Sequence, residues 1–161
     1  VHHTVSPSMD IQVASNFERL IFDICDQNSD ETSKLMNDLK EYGEFRLNNS
    51  YLNKIKETFI SESLSDKETK SVINKIYKKE KILIDPHTAV AIGVAQKINK
   101  KTSTIILATA HPSKFSDVVI KETKTKPELP GNLKNILTKK ENFKKLPNDL
   151  VTIKNYILDK I

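Results

Sequence analysis

Apolar residues recur at three- and four-residue spacing through the first half of the chain, then collapse into short continuous runs. Phe17, Leu20, Ile21 and Ile24 form one stripe, and Ser15-Asn16-Phe17-Glu18 before it reads as a capping box, predicting a helix over 15–26. Leu35, Leu39 and Tyr42 predict a second helix over 31–42, with Gly43 as its stop. A third begins near Ser50 on Leu52, Ile55 and Phe59. A fourth follows the capping box Ser65-Asp66-Lys67-Glu68 and carries Val72, Ile73, Ile76 and Tyr77. At Ile82-Leu83-Ile84 the period changes, and Asp85-Pro86 ends that run. Residues 89–98 are rich in Ala, Val and Ile and long enough for a buried helix, with Pro86 suited to its first turn. A second β-branched run, Ser103 to Ala108, closes at His111-Pro112 and leads into a short helix over 113–120. Strand, helix, strand, helix with apolar strands predicts an α/β fold, rich in helix with a short parallel sheet.

Four segments follow from this pattern. Residues 1–14 are a lead-in, 15–80 a helical stretch, 81–120 the strand–helix–strand–helix part, and 121–161 a basic linker with a terminal amphipathic helix from about Asn148. Charge changes the picture only in the last of these. Residues 121–145 hold eight lysines against three glutamates, and this segment accounts for the whole net charge of +5. Arginine is confined to Arg19 and Arg46, and Phe143 is the one aromatic residue of the basic stretch. A nucleic-acid reader interleaves arginines and stacking aromatics along such a face. A solvated lysine-rich surface is therefore expected, with a basic helical nucleic-acid-binding module as the alternative.

Other classes fall to simple counts. No apolar run approaches the ~20 residues of a membrane-spanning helix, and the first residues lack a secretory or transit pattern, so a cytoplasmic protein is expected. One cysteine, Cys25, excludes a disulfide framework. Three scattered glycines in 161 residues leave no phosphate-cradling loop. Candidate chemistry gathers instead at the ends of the two apolar runs: Asp85 and His87 after the first, Thr109 and His111 after the second. Ligands of open α/β folds bind at that edge. Asp85, His87 and His111 lack the spacing of a metal centre, and no metal is expected.

Residues 6–19, Ser-Pro-Ser-Met-Asp-Ile followed by Ser-Asn-Phe-Glu-Arg, resemble a signature of the threonine synthases. Asp85-Pro86-His87-Thr88-Ala89 resembles that family's DPHTA loop, and residues 107–115, LATAHPSKF, its LATAHPAKF segment. The resemblance implies the C-terminal part of a fold type II pyridoxal-phosphate enzyme that converts O-phospho-L-homoserine and water into L-threonine and phosphate. It also implies that Thr109 holds the pyridine nitrogen of the cofactor, and that Asp85, His87 and His111 lie on the wall beside it. Ser15, Asn16 and Arg19, at the start of a helix, are candidates for contact with the substrate. The family's Schiff-base lysine and phosphate-binding loop belong upstream of the first motif. No lysine here matches that context, so the remainder of the protein is an expected partner and this chain alone is expected to be inactive. Another fold type II lyase or dehydratase is the neighbouring alternative.

Overall fold

The computed structural model describes residues 2–98 and 103–161. Seven α-helices occur among them: α1 Ser15–Ile24, α2 Ser29–Tyr42, α3 Asn49–Thr58, α4 Asp66–Glu80, α5 Pro86–Ile98, α6 Ser116–Thr123 and α7 Leu150–Leu158. The chain divides into two compact units, Val1–Pro127 and Glu128–Ile161.

Two apolar clusters organise the first unit. Ile21 and Cys25 from the α1 end pack with Leu35 of α2, and Met36, Phe45, Leu47, Tyr51 and Ile55 close around them. The second cluster joins Val72 and Ile73 of α4 to Ile84 and to Ala89 of α5, with Ile76, Ile92 and Val118 against it. Stripes at helical spacing thus become the faces along which α1 meets α2 and α3, and α4 meets α5 and α6. Two hydrogen bonds fasten the end of α6 to α4: Asn74 Nδ2 donates to the Glu122 carbonyl at 2.6 Å, and the Tyr77 and Thr125 hydroxyls meet at 2.6 Å.

Helix ends follow local chemistry. Asn28 caps α2 by accepting from the amides of Asp30 and Glu31, and Gly43 ends it in the left-handed region at φ 75°. Asn48 caps α3 through the Tyr51 amide. The Ser65–Glu68 capping box is formed at α4, where the Ser65 amide and hydroxyl both donate to Glu68 Oε2 at 2.7 Å. These bonds, with Lys97 beside them, bring the Glu68 carboxyl down to about 2. A depressed native pKa adds stability above the ordinary carboxylate range and loses it as pH falls. The α4 start is therefore expected to loosen between pH 4.5 and about 2. An acid titration of amide exchange at residues 66–69 should show it, and Glu68→Gln should flatten that limb.

The expected α/β fold is overturned: among the described residues there is no strand and no sheet. Residues 82–84 and 103–108, both read as strands, are irregular segments without ladder partners. Ile105 and Leu107 stand 90% and 73% exposed. A β-branched run reports a preference for extended, half-buried surroundings; a strand also needs a neighbour to share its hydrogen bonds. The segment after Ala89 behaves differently, because its helix begins earlier, at Pro86. The expected helix over 113–120 divides into a 3₁₀ turn, Pro112–Phe115, and α6.

The second unit holds two 3₁₀ turns, Gly131–Leu133 and Ile136–Thr138, and α7, capped by Asp149 through the Thr152 amide. Lys144 and Lys160 place their ammonium groups 4.8 and 5.9 Å from the centre of the Tyr156 ring.

Candidate functional site

Asp85 begins the site. Its carbonyl accepts the first turn of α5 from the Ala89 amide at 3.0 Å, and its carboxylate accepts from the amides of His87 at 2.8 Å and Thr88 at 3.4 Å. An aspartate at the cap followed by proline at the first helical position is a strong start signal, because proline lacks the amide that would otherwise be orphaned. The same carboxylate also takes the Thr88 hydroxyl and, at 2.9 Å, His87 Nδ1. Asp85 is fully buried, with its oxygens committed to α5.

His87 is committed as well. Its Nε2 accepts the Ser8 amide at 3.1 Å, so Nδ1 carries the proton and donates to Asp85. The ring is 4% exposed and lies 4.8 Å, centre to centre, from Phe115. Two further clamps hold the segment that includes Ser8. Asp10 accepts the Thr4 amide at 2.8 Å and its hydroxyl at 2.7 Å, which keeps the Asp10 carboxyl below its ordinary value. The Val5 amide donates to Asp66 of α4. The Ser-Pro-Ser-Met-Asp stretch is thus a turn pinned at three points.

Thr109 and His111 differ in kind from this buried knot. Both are exposed, and both line a groove of about 410 Å³ bounded by Ile82, Ile84, Asp85 and Thr88 on the facing side. Thr109 also borders an apolar cavity of about 550 Å³ along α5, walled by Ala91, Val94, Ile105 and Leu107. Among the described residues no hydrogen bond engages the Thr109 hydroxyl. His111 caps the 3₁₀ turn after it, where Nδ1 lies 3.3 Å from the Ser113 amide and 2.7 Å from its hydroxyl.

The structure brings Asp85, Thr109 and His111 to one groove, while His87 borders the neighbouring cavity with Thr109. Ser15 and Arg19 line a different one, between α1 and α2. There the expected capping box is absent. Ala14 occupies the cap of α1, and its carbonyl accepts from Phe17 and Glu18, which puts Ser15 one position inside the helix. Arg19 Nη1 donates to Asn16 Oδ1 at 3.3 Å on the exposed face.

Comparison with known proteins bears on this arrangement. The family model "Threonine synthase, C-terminal" matches residues 88–157. Threonine synthase of Pseudomonas aeruginosa is 33% identical over 160 residues, covering 98% of this chain. The chain belongs to the threonine synthase family. Two solved structures agree: a PLP-bound threonine synthase from Brucella melitensis, with TM-score 0.81, 37% identity and 98% of the chain covered, and the yeast threonine synthase, with TM-score 0.78, 30% identity and 100% covered. The chain spans about a third of the length of these threonine synthases: 34% of the Pseudomonas and Brucella proteins and 37% of the yeast one. The three motifs therefore acquire physical contents within the family frame. The first is the pinned turn together with the start of α1, the second is the cap of α5, and the third presents Thr109 and His111. Sequence reasoning missed Ser8 as the partner of His87, and it missed Asp85 as the cap of α5, which the Asp-Pro pair signals.

Proposed function

We propose that this chain forms one wall of the active site of a PLP-dependent threonine synthase, which converts O-phospho-L-homoserine and water into L-threonine and phosphate. The unengaged hydroxyl of Thr109, set where the groove and the apolar cavity meet, carries this reading. The donor set facing the groove fits a neutral pyridine nitrogen. Asp85 supplies the carboxylate among the groove's lining residues, and its oxygens are spent on capping α5. With the Thr88 hydroxyl also spent on Asp85, the Thr109 hydroxyl is the one left to meet the ring nitrogen, and it leaves that nitrogen unprotonated where a free aspartate would hold it protonated. Bound there, the cofactor supplies an electron sink that makes the protons near the amino group of an amino acid labile.

The residues of this chain then divide their work. The Thr109 hydroxyl would donate a hydrogen bond to the ring nitrogen while keeping its proton. Asp85, His87 and Thr88 fix the start of α5 and hold the Ser8 backbone in place. Ser15 and Arg19 offer polar groups to the substrate from the α1 groove, and Asn16 holds the Arg19 guanidinium through its side-chain oxygen. The lysine that moves protons belongs to the remainder of the protein, whose other two-thirds also covers the exposed Ile105 and Leu107. The chain alone is accordingly inactive. A nucleic-acid partner is not part of this reading, since the basic segment 121–145 holds no arginine and one aromatic residue, Phe143. No helix among the described residues is long and apolar enough to cross a membrane, and we place the enzyme in the cytoplasm.

A substrate panel on the full-length protein with PLP tests the reading. O-phospho-L-homoserine should yield threonine and phosphate in equal amounts, while L-serine and L-threonine should be poor substrates. Rapid release of ammonia and a keto acid from serine would instead identify a dehydratase.

A further inference from the structure

The two loop histidines are not equivalent, and their tautomers assign different tasks to them. His87 has both ring nitrogens occupied in a buried position, so no ligand reaches it without breaking the link to Ser8 or Asp85. His111 has one nitrogen occupied. The Ser113 amide is an obligatory donor, so His111 Nδ1 must be the unprotonated acceptor, and the Ser113 hydroxyl donates to the same atom. The proton of the neutral ring therefore sits on Nε2, and among the described residues Nε2 has no partner.

The mounting is stiff. Pro112 fixes the backbone immediately after His111, the Lys114 amide returns to the His111 carbonyl at 3.0 Å, and the Ser116 hydroxyl closes on the Ser113 carbonyl at 2.8 Å. In this tautomer Nε2 already carries the ring's proton and faces the groove as a donor. It is a preset N–H donor in a groove whose lining carboxylate is already spent, and such a donor gains most against negatively charged oxygen.

Resting on the threonine synthase reading above, we propose that His111 Nε2–H positions an oxyanion in this groove, and that Ser113 is the residue that sets it as a donor. Either the substrate's phosphate or carboxylate, or an oxygen of the cofactor, could supply that oxyanion.

Two substitutions in the full-length enzyme separate the donor from the cap. His111→Asn keeps an acceptor oxygen at the Nδ1 position and loses Nε2–H; His111→Gln keeps a donor at the Nε2 position and loses the cap. Loss of a hydrogen bond to a charged partner predicts roughly a tenfold or greater loss of affinity in His111→Asn, with His111→Gln recovering most of it. A raised KM for O-phospho-L-homoserine and weaker inhibition by inorganic phosphate, at unchanged PLP affinity, assign the oxyanion to the substrate. Weaker PLP affinity or a shifted PLP absorbance band assigns it to the cofactor. His111→Asn that matches wild type in all three, or His111→Gln that is the more damaged, overturns the proposal. Failure of the wild-type protein to bind PLP or make threonine overturns the underlying reading itself, and is seen before any variant is compared.

Discussion

Replacing Asp85 by alanine is expected to melt the first turn of α5 and release the segment around Ser8. The helix loses its cap, worth about 1 kcal/mol. The Thr88 hydroxyl and His87 Nδ1–H become buried donors without an acceptor, at about 1–3 kcal/mol each. A total of about 3–7 kcal/mol is a large share of the ~5–15 kcal/mol that holds a typical domain together. The damage should also travel. Once Nδ1 of His87 has no acceptor, nothing fixes the tautomer that offers Nε2 to Ser8, so a substitution at 85 loosens a turn 77 residues earlier. Amide exchange in the full-length protein should show lost protection at Ala89 and Ser8, with a lowered thermal midpoint. Asp85→Asn, which keeps one acceptor oxygen, should be intermediate. An unchanged midpoint and intact Ser8 protection would mean that the knot is not what organises this end of the chain.

Removing the Thr109 hydroxyl should have the largest effect on turnover. Thr109→Val keeps the shape and deletes the donor, and the expected fall in kcat is roughly a hundredfold, the size associated with losing one preorganised donor. Thr109→Ser, which keeps the hydroxyl, should stay within a few-fold of wild type. Valine nearly matches threonine in shape, so the thermal midpoints of both variants without cofactor should match wild type, and any loss of turnover then belongs to the missing hydroxyl. A valine variant of normal activity would remove Thr109 from the cofactor's nitrogen.

Much of the fold is legible locally, and the larger failures share one physical cause. Ser65 with Glu68, and Gly43 after Tyr42, mark helix ends because capping is settled within a few residues. The second helix starts two residues earlier than its apolar stripe suggests, because Asn28 rather than the stripe decides where the amides find a partner. Ser15 shows the opposite error: its spacing to Glu18 fits a capping box, yet the chain turns into the helix one residue sooner, at Ala14. The two apolar runs misled more seriously, since pairing is a property of neighbours and no local pattern contains them. His87 was undecidable for the same reason. Whether His87 is free or spent depends on Ser8, 79 residues away, whereas the partner of His111 is only two residues on.

The most direct test of the central claim is the fate of oxygen when the full-length enzyme turns over O-phospho-L-homoserine in ¹⁸O-labelled water. Loss of the phosphate with its ester oxygen, followed by addition of water at the neighbouring carbon, predicts one labelled oxygen in the threonine hydroxyl and none in the released phosphate. Label in the phosphate, with homoserine as the product, would mark simple ester hydrolysis and contradict the account.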